Sequence, residues 1–408
     1  MSEANSQSDL KECTTIGGEL GTSSCKFCCD DTVLIFSSVV GDALSDKMEE
    51  SWRLMNRSKD VRWVRNLAIF DENRNSWRYV GAMTRNSDKV NWFTDQGLIR
   101  DYDDAFLATK AGLLLLALEM EKKGRPIKKV GLGFGITVRH GESIIEKFFA
   151  YIKEKLVERD GKKFLKIVAK NVALAETREI EIELMFCVMQ YQAYGAYMTL
   201  LFSKYNMNIY NTYVIDIGHG TWIKLPIIDN EAEINLSDSV TAGIHTITKN
   251  ISRIIFESSE QKFKIPEQRI MEKLPFKDYK IEVPGVGIYD FSKFLTHECQ
   301  MMARSIVQQV SNDISILSQK GHSIDYYLII GGGSHLLFDT IKSEVGNYFG
   351  WQGDMLEQKV INPQTIGIDP RYMNCIGFML LARDHVAVEL EAEVDPSFNI
   401  KEIIQDTA

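Results

Sequence analysis

Apolar residues fall along this chain in two rhythms: short unbroken runs bounded by glycine or polar turns, and longer stretches with a period near 3.6. The runs read as strands. "DDTVLIFSSVVG", residues 30–41, predicts a strand closing on a glycine turn, and "VRNLAIFDENRNSWRYVGAMT" predicts a hairpin turning at residues 71–76. "KKVGLGFGITV" and "NTYVIDIGHGTWIKLPIID" predict buried strands, the second a pair joined by a Gly-rich turn. The 3.6 period predicts a helix from Asp103 to Lys123, closed by Gly124 and Pro126. Ile144, Ile145, Phe148, Phe149, Ile152 and Leu156 mark one face of a second helix. Another opens behind Gly243, and a long one carries Met302, Ile306, Val310, Ile314 and Leu317 before stopping at Gly321. "DYYLIIGGGSHLLFDTIKSEV" is strand, triple glycine, helix, and "NCIGFMLLARDH" is a closing helix. Alternating strands and helices with Gly-rich turns at strand ends are the pattern of an α/β protein, which places ligands at those ends.

Composition narrows the class. With 408 residues the chain has room for two domains or more, and 45% hydrophobic with 25% charged residues is ordinary globular usage. The longest apolar run, Ala111 to Leu118, is too short to span a bilayer. The opening "MSEANSQSDLKE" has no basic segment followed by an apolar one, so a cytoplasmic location is expected. A net charge of −9 argues against a large direct contact with DNA, which needs a cationic surplus. Residues 1–12 and the acidic stretch 388–408 read as disordered tails.

The stretch "GGELGTSSCKFCC", residues 17–29, admits two chemistries. Cys25, Cys28 and Cys29 suggest a metal or redox site, but seven scattered cysteines with no histidine nearby fit buried thiols better. Glu19, Gly21, Thr22, Ser23, Ser24 and Lys26 suggest a phosphate-binding turn. Bare glycine backbone approaches an anion, hydroxyls add donors, and the lysine neutralises charge. A second turn, Asp216-Ile217-Gly218-His219-Gly220-Thr221, repeats that logic, with a strand-end carboxylate able to hold hydrated Mg²⁺. A third, Gly331-Gly332-Gly333-Ser334, suits a flat ring or sugar lying against backbone. One such turn is more often a plain hairpin; three at this spacing are far more specific.

Together these turns make residues 13–387 resemble the actin-like ATPases, in the superfamily that also holds chaperone ATPases and sugar kinases. "ELGTSSCK" is similar to the first phosphate loop, "DIGHGT" to the second, and "IIGGGSHLLFDTIK" to the adenosine motif. "YVGA" at 79–82 resembles a further family stretch, and Asn374 and Gly377 match the closing helix. "KKVGLGFGITV" and "MQYQAYGAYMTLLF" look most like the plasmid-segregation actins of the ParM type.

The resemblance implies an actin-like, ribonuclease H-like fold of two α/β domains with the nucleotide in the interdomain cleft. Domain I would span 13–205 with the closing helix 371–387, and domain II 206–370. It implies ATP or ADP with Mg²⁺ as cofactors, contacted by the three turns and Gly243, with Glu19 and Asp216 holding the metal through water. It also implies Gln192 as the residue orienting the attacking water, Gln190 being the alternative alignment. Assembly into a homopolymeric filament coupled to ATP hydrolysis follows, with plasmid DNA as cargo held through a DNA-binding adaptor. An organelle-positioning actin of the magnetosome type shares these motifs, and a small-molecule kinase of the same superfamily is a further alternative. Glu19 stands where the family carries Asp, which sets the carboxylate one methylene further out.

Plainer readings apply nearby. His219 reads as a variable turn position and His245 as a residue of a helix start, although either could approach the nucleotide. Tyr194 and Tyr197 read as core. Glu179, Glu181 and Glu183, alternating with Ile180, Ile182 and Leu184, read as the solvated face of a strand.

Overall fold

The computed structural model describes residues 10–56, 60–95, 98–137, 141–203, 211–259, 263–283, 287–391 and 402–405. They group into two compact units, Met1–Asn206 with Tyr372–Ala408, and Met207–Arg371. Most of the two stretches read as tails lies outside the described residues; 402–405 form a short strand.

In unit 1 the strands are β1 Thr14–Leu20, β2 Ser24–Cys29, β3 Thr32–Ser37, β4 Val39–Asp42, β5 Leu67–Asp71, β6 Ser76–Val80 and β7 Val90–Trp92. There follow a small pair, β8 Thr94–Asp95 and β9 Leu98–Ile99, then β10 Lys129–Ile136, β11 Val157–Arg159, β12 Lys162–Asn171 and β13 Glu176–Tyr191. The helices are α1 Asp46–Met55, α2 Tyr102–Lys122, α3 Gly141–Glu154, α4 Tyr194–Leu201 and, from the end of the chain, α10 Met373–Glu389. The stretch read as one strand over 30–41 is two, because Ser38 breaks it with a buried side chain that bonds the Gly21 carbonyl.

Among the described residues the main sheet runs β22–β3–β2–β1–β10–β13–β12–β5–β6–β4–β7, where β22 is Glu402–Gln405 and β11 pairs β12. β10 lies between β1 and β13, parallel to both, and is buried along nearly its whole length. A parallel strand covered on both faces needs a continuous apolar run, which is what "VGLGFGI" supplies. α2 is buried nearly all round, so it shows no clean amphipathic stripe. α10 packs on β1 and β10 and crosses α4 at Gly377, where a Cβ would fall 1.5 Å from the Gly195 carbonyl oxygen. Only glycine permits that approach. Of the β13 glutamates read as a solvated face, Glu179 and Glu181 are exposed but Glu183 is buried by packing within the sheet. Glu179 pairs with Lys166 at 2.8 Å and Glu183 with Lys162 at 3.1 Å across the β12–β13 ribbon.

Unit 2 contains β14 Thr212–Ile217, β15 Trp222–Ile228, β16 Glu231–Ala232, β17 Asp238–Val240, a separate hairpin β18 Lys280–Val283 with β19 Gly287–Asp290, β20 Tyr326–Ile330 and β21 Val360–Ile361. Its helices are α5 Ile244–Ser258, α6 Glu267–Met271, α7 Ser292–Gln319, α8 Ser334–Phe349 and α9 Gly353–Lys359. The sheet order is β16–β15–β14–β20–β21 with β17 on β15, and β14 is buried at every position. α7 buries Met302, Ile306, Val310 and Leu317 of the predicted stripe, together with Leu295 and Ala303, while Ile314 is half-buried. Its Asp313 takes bonds from Tyr213 of β14 and Lys224 of β15, tying the helix to the sheet. Among the described residues no helix is long and apolar enough to cross a membrane.

Candidate functional site

In unit 1 the turn joining β1 to β2 has a simple origin. A hairpin of this length sets Glu19 directly opposite Lys26, so the two side chains share a face. They form an ion pair at 2.9 Å, with both side chains largely buried. The Gly21 N–H donates to the Ser24 carbonyl at 3.1 Å and closes the turn. Its carbonyls are held from the chain side: Ser38 Oγ donates to Gly21 O at 2.6 Å, and Thr94 Oγ1 reaches Gly21 O and Thr22 O at 3.2 and 3.3 Å. Thr22, Ser23 and Ser24 remain half-buried at the turn.

A second group of unit 1 converges on the same strand end. β13 ends at Tyr191, the Gln192 N–H donates to the Ile136 carbonyl at 2.6 Å, and Ala193 turns the chain with φ 72° into α4. The buried Gln192 side chain donates to Leu20 O at 3.4 Å. Gln190 instead accepts from the neighbouring Tyr191 N–H at 2.9 Å. Asn374 of α10 links these parts. Its Oδ1 accepts from Ala193 and Ala196 N–H groups at 3.2 Å each, capping α4, while its Nδ2 points at Glu19 Oε1, 3.5 Å away.

The cysteines of this stretch belong to the packing. Cys28 donates to the Cys375 carbonyl at 3.0 Å, and Cys25 sits 3.4 Å from Ser38 Oγ. Burial pushes the Cys25 thiol up to about 12 and raises Cys28 and Cys29 as well, so these groups stay protonated and poor as ligands or nucleophiles. Among the described residues no group of three or more His, Cys, Asp or Glu forms a metal cage.

Unit 2 repeats the plan. β14 pairs antiparallel with β15 and parallel with β20, as β1 does with β2 and β10. The acid again stands one residue before the strand's end, and Gly218 N–H donates to Thr221 O at 2.8 Å, the same closure as in the first turn. This turn is stapled to α5: Gly243, Ile244 and His245 N–H groups donate to the carbonyls of Gly220, Gly218 and His219. The helix start is thereby capped by the turn itself. A Cβ at Gly243 would lie 2.3 Å from His219 O and 2.7 Å from Thr221 N, so the staple requires glycine.

The triple glycine meets the same acid. Register sets Asp216 beside Ile330, and Gly331 bends away with φ +85°. A Cβ there would fall 2.3 Å from Asp216 Oδ1. Gly333 N–H donates to Ile217 O at 2.7 Å, and the buried Ser334 hydroxyl donates to Gly331 O at 2.7 Å. Gly332 differs: a Cβ there meets only Arg371 Cγ, at 3.8 Å. Packing does not demand that glycine, which leaves its bare surface for an incoming group. Arg371 is held by Asp369, which also bonds His335 in the first turn of α8. Burial pushes the Asp369 carboxyl up, but the bonds from His335 and Arg371 outweigh it and hold the group well below the usual carboxylate range.

Each unit thus assembles its own set of the residues singled out in the sequence: Glu19, Gly21, Thr22, Ser23, Ser24, Lys26 and Gln192 in one, Asp216, Gly218, His219, Gly220, Thr221, Gly243 and Gly331 to Ser334 in the other. Sequence reasoning missed Ser38 and Thr94, which hold the carbonyls of the first turn, and Arg371 with its partner Asp369, which lie beside Gly332. A buried carboxylate beside glycine backbone and hydroxyls is a donor set that fits a phosphate chain with a hydrated hard cation.

No family model matches the chain, and no curated protein sequence matches it. Solved structures do. It is similar to an archaeal actin homologue at 17% identity, covering 91% of this chain and 99% of that one, with a TM-score of 0.63. It is similar to a ParM from Clostridium botulinum, solved as a 15-stranded filament, at 20% identity and a TM-score of 0.63, with the same coverage. A ParM from Bacillus thuringiensis, in a structure with ATP, matches at 16% identity and a TM-score of 0.56 over 91% of this chain and 98% of that one. The chain has the actin-like fold shared by ParM and the archaeal actin homologue.

Proposed function

We propose that this protein binds ATP with Mg²⁺, hydrolyses it, and assembles into filaments whose stability depends on the bound nucleotide. The observation that carries the reading is the repeated acid–x–Gly turn, closed the same way at the equivalent strand end in each unit. With their carbonyls spent on Ser38, Thr94 and α5, both turns have N–H groups and hydroxyls to offer phosphate oxygens. Lys26 supplies charge, and Glu19 and Asp216 hold the metal through water. Gly332 gives the adenosine a flat backbone surface.

Gln192 orients the attacking water. Its side chain is fixed at the end of β1, whereas Gln190 is occupied by its neighbour's backbone. The bound Mg²⁺–nucleotide supplies a polarised γ-phosphoryl group, and what the chain contributes is positioning and charge. The Glu19–Lys26 pair must be shared with the ligand, because Lys26 cannot serve phosphate while held fully by Glu19. Slow turnover is the expected consequence.

Relatives of the same fold solved as a ParM filament and with ATP support assembly and nucleotide use. In this reading the cargo is a plasmid or similar replicon, and the net charge of −9 favours DNA contact through an adaptor over direct binding. The test is phosphate release as a function of protein concentration. Turnover per subunit should be low below a critical concentration and rise above it. A rate per subunit independent of concentration would argue for an uncoupled enzyme, such as a small-molecule kinase with leakage.

A further inference from the structure

The turn that carries Asp216 holds one side chain whose part in nucleotide binding the motif leaves open. His219 lies between Gly218 and Gly220, and its Nδ1 is buried with no hydrogen-bond partner among the described residues. A buried, unsatisfied ring nitrogen is costly and calls for an explanation. His219 faces His245, ring centroids 5.5 Å apart, and the His245 N–H donates to the His219 carbonyl at 2.8 Å. Behind them His245 Nδ1 meets Glu267 Oε2 of α6 at 2.8 Å. Two contacts therefore link the turn's histidine through α5 to α6.

The charged and titratable groups facing His219 are His245 from α5 and Glu267 from α6. Asp216, earlier in the same stretch, is turned against Gly331. Burial holds the His219 imidazole below its usual range, His245 lowers it further, and Glu267 opposes them. Burial and the neighbouring histidine both disfavour the charged ring.

We propose that His219, backed by His245 and Glu267, is a proton-linked phosphate contact, which takes a proton from solvent when a nucleotide's phosphate charge arrives and so makes binding tighter at lower pH. An anion beside the ring favours its charged form, and the charged ring, a donor at both nitrogens, adds its positive charge to the N–H groups and hydroxyl of the turn. By linkage, the proton taken up on binding must appear as a pH dependence of affinity. This rests on the nucleotide reading above, and its test separates the two.

The experiment measures ADP and ATP·Mg affinity from pH 8 to pH 6 for the full chain and for His219→Gln. Taking the ratio of the two proteins cancels the nucleotide's own titration. The wild-type advantage should grow roughly three- to tenfold as pH falls over this range. His245→Gln should move the midpoint of that growth to higher pH, because it removes the neighbour that disfavours the charged ring. Equal pH dependence in wild type and His219→Gln would overturn the proposal while leaving nucleotide binding intact. No binding of either nucleotide at any pH would overturn both. Should His219→Gln fail to fold, imidazole NMR of the wild type decides. ADP must raise the His219 titration midpoint, and an unmoved midpoint refutes the contact.

Discussion

Glu19 and Lys26 form an ion pair at the mouth of the first turn, and the proposed function requires that pair to loosen when nucleotide binds. Glu19→Gln removes one charge and keeps the shape. Opposite charges 2.9 Å apart attract by about 6 kcal/mol at an effective dielectric near 20. Desolvation offsets much of this, and Lys26 keeps 14% of its side chain in solvent, so losing one partner should cost about 2–4 kcal/mol. Lys26→Met leaves a more deeply buried carboxylate unpaired and should cost at least as much. The double variant isolates the pair, with an expected coupling of about 1–3 kcal/mol in urea unfolding without nucleotide. Trp52, Trp63, Trp77 and Trp92 lie in unit 1 and Trp222 and Trp351 in unit 2, so fluorescence follows both units, and separate unfolding would show as two transitions of which the first unit's shifts with the variants. With saturating ATP·Mg the coupling should fall below about 0.5 kcal/mol, because phosphate takes over as partner of the lysine. A coupling near zero without nucleotide refutes the pair. A coupling that ATP·Mg leaves unchanged refutes the role of Lys26 at phosphate.

Three further outcomes are expected. Gly243→Ala drives a Cβ into the His219 carbonyl and should destabilise the protein by about 1–3 kcal/mol while abolishing tight ATP binding; Gly332→Ala should leave the melting temperature unchanged and weaken only ATP affinity, measured by calorimetry. Gln192→Ala should lower ATP turnover about 100-fold with little change in nucleotide affinity, and Gln190→Ala should not, so equal loss in both would misplace the water-orienting residue. Asp369 titrates in the folded protein below its unfolded value near 3.9, so its contribution is present above about pH 4 and is lost as pH falls through the depressed value. Asp369→Asn should cost roughly 1–3 kcal/mol at pH 7 and flatten the acid limb of a stability–pH profile; an unaltered acid limb would contradict the assigned cause.

What the sequence disclosed follows from locality. β14, its turn and β15 are legible because a buried parallel strand writes itself as one apolar run and the turn as glycine. α7 is legible from its period. The break at Ser38 was hidden, because that serine serves the Gly21 carbonyl rather than its own strand's pattern. Thr94 was invisible for the same reason, since it bonds a turn far away in sequence; Glu267 and Arg371 were too, one pairing with His245 of α5 and the other lying beside Gly332. Asn374 was visible only as a match to a closing-helix pattern. Its work, capping α4 while reaching toward Glu19, needs the folded chain. His219 is the sharpest contrast. The sequence makes it a variable position in a nucleotide-contacting turn, and the structure gives it a buried, unpartnered nitrogen and two titratable neighbours.

The central claim is that nucleotide binding governs self-assembly, and high-speed pelleting with electron microscopy in ATP·Mg, in ADP and without nucleotide tests it most directly. The account predicts filaments that pellet with ATP, shorten or dissolve as ADP accumulates, and are absent without nucleotide. A protein that stays in the supernatant with ATP at high concentration, or that pellets equally in all three conditions, contradicts it.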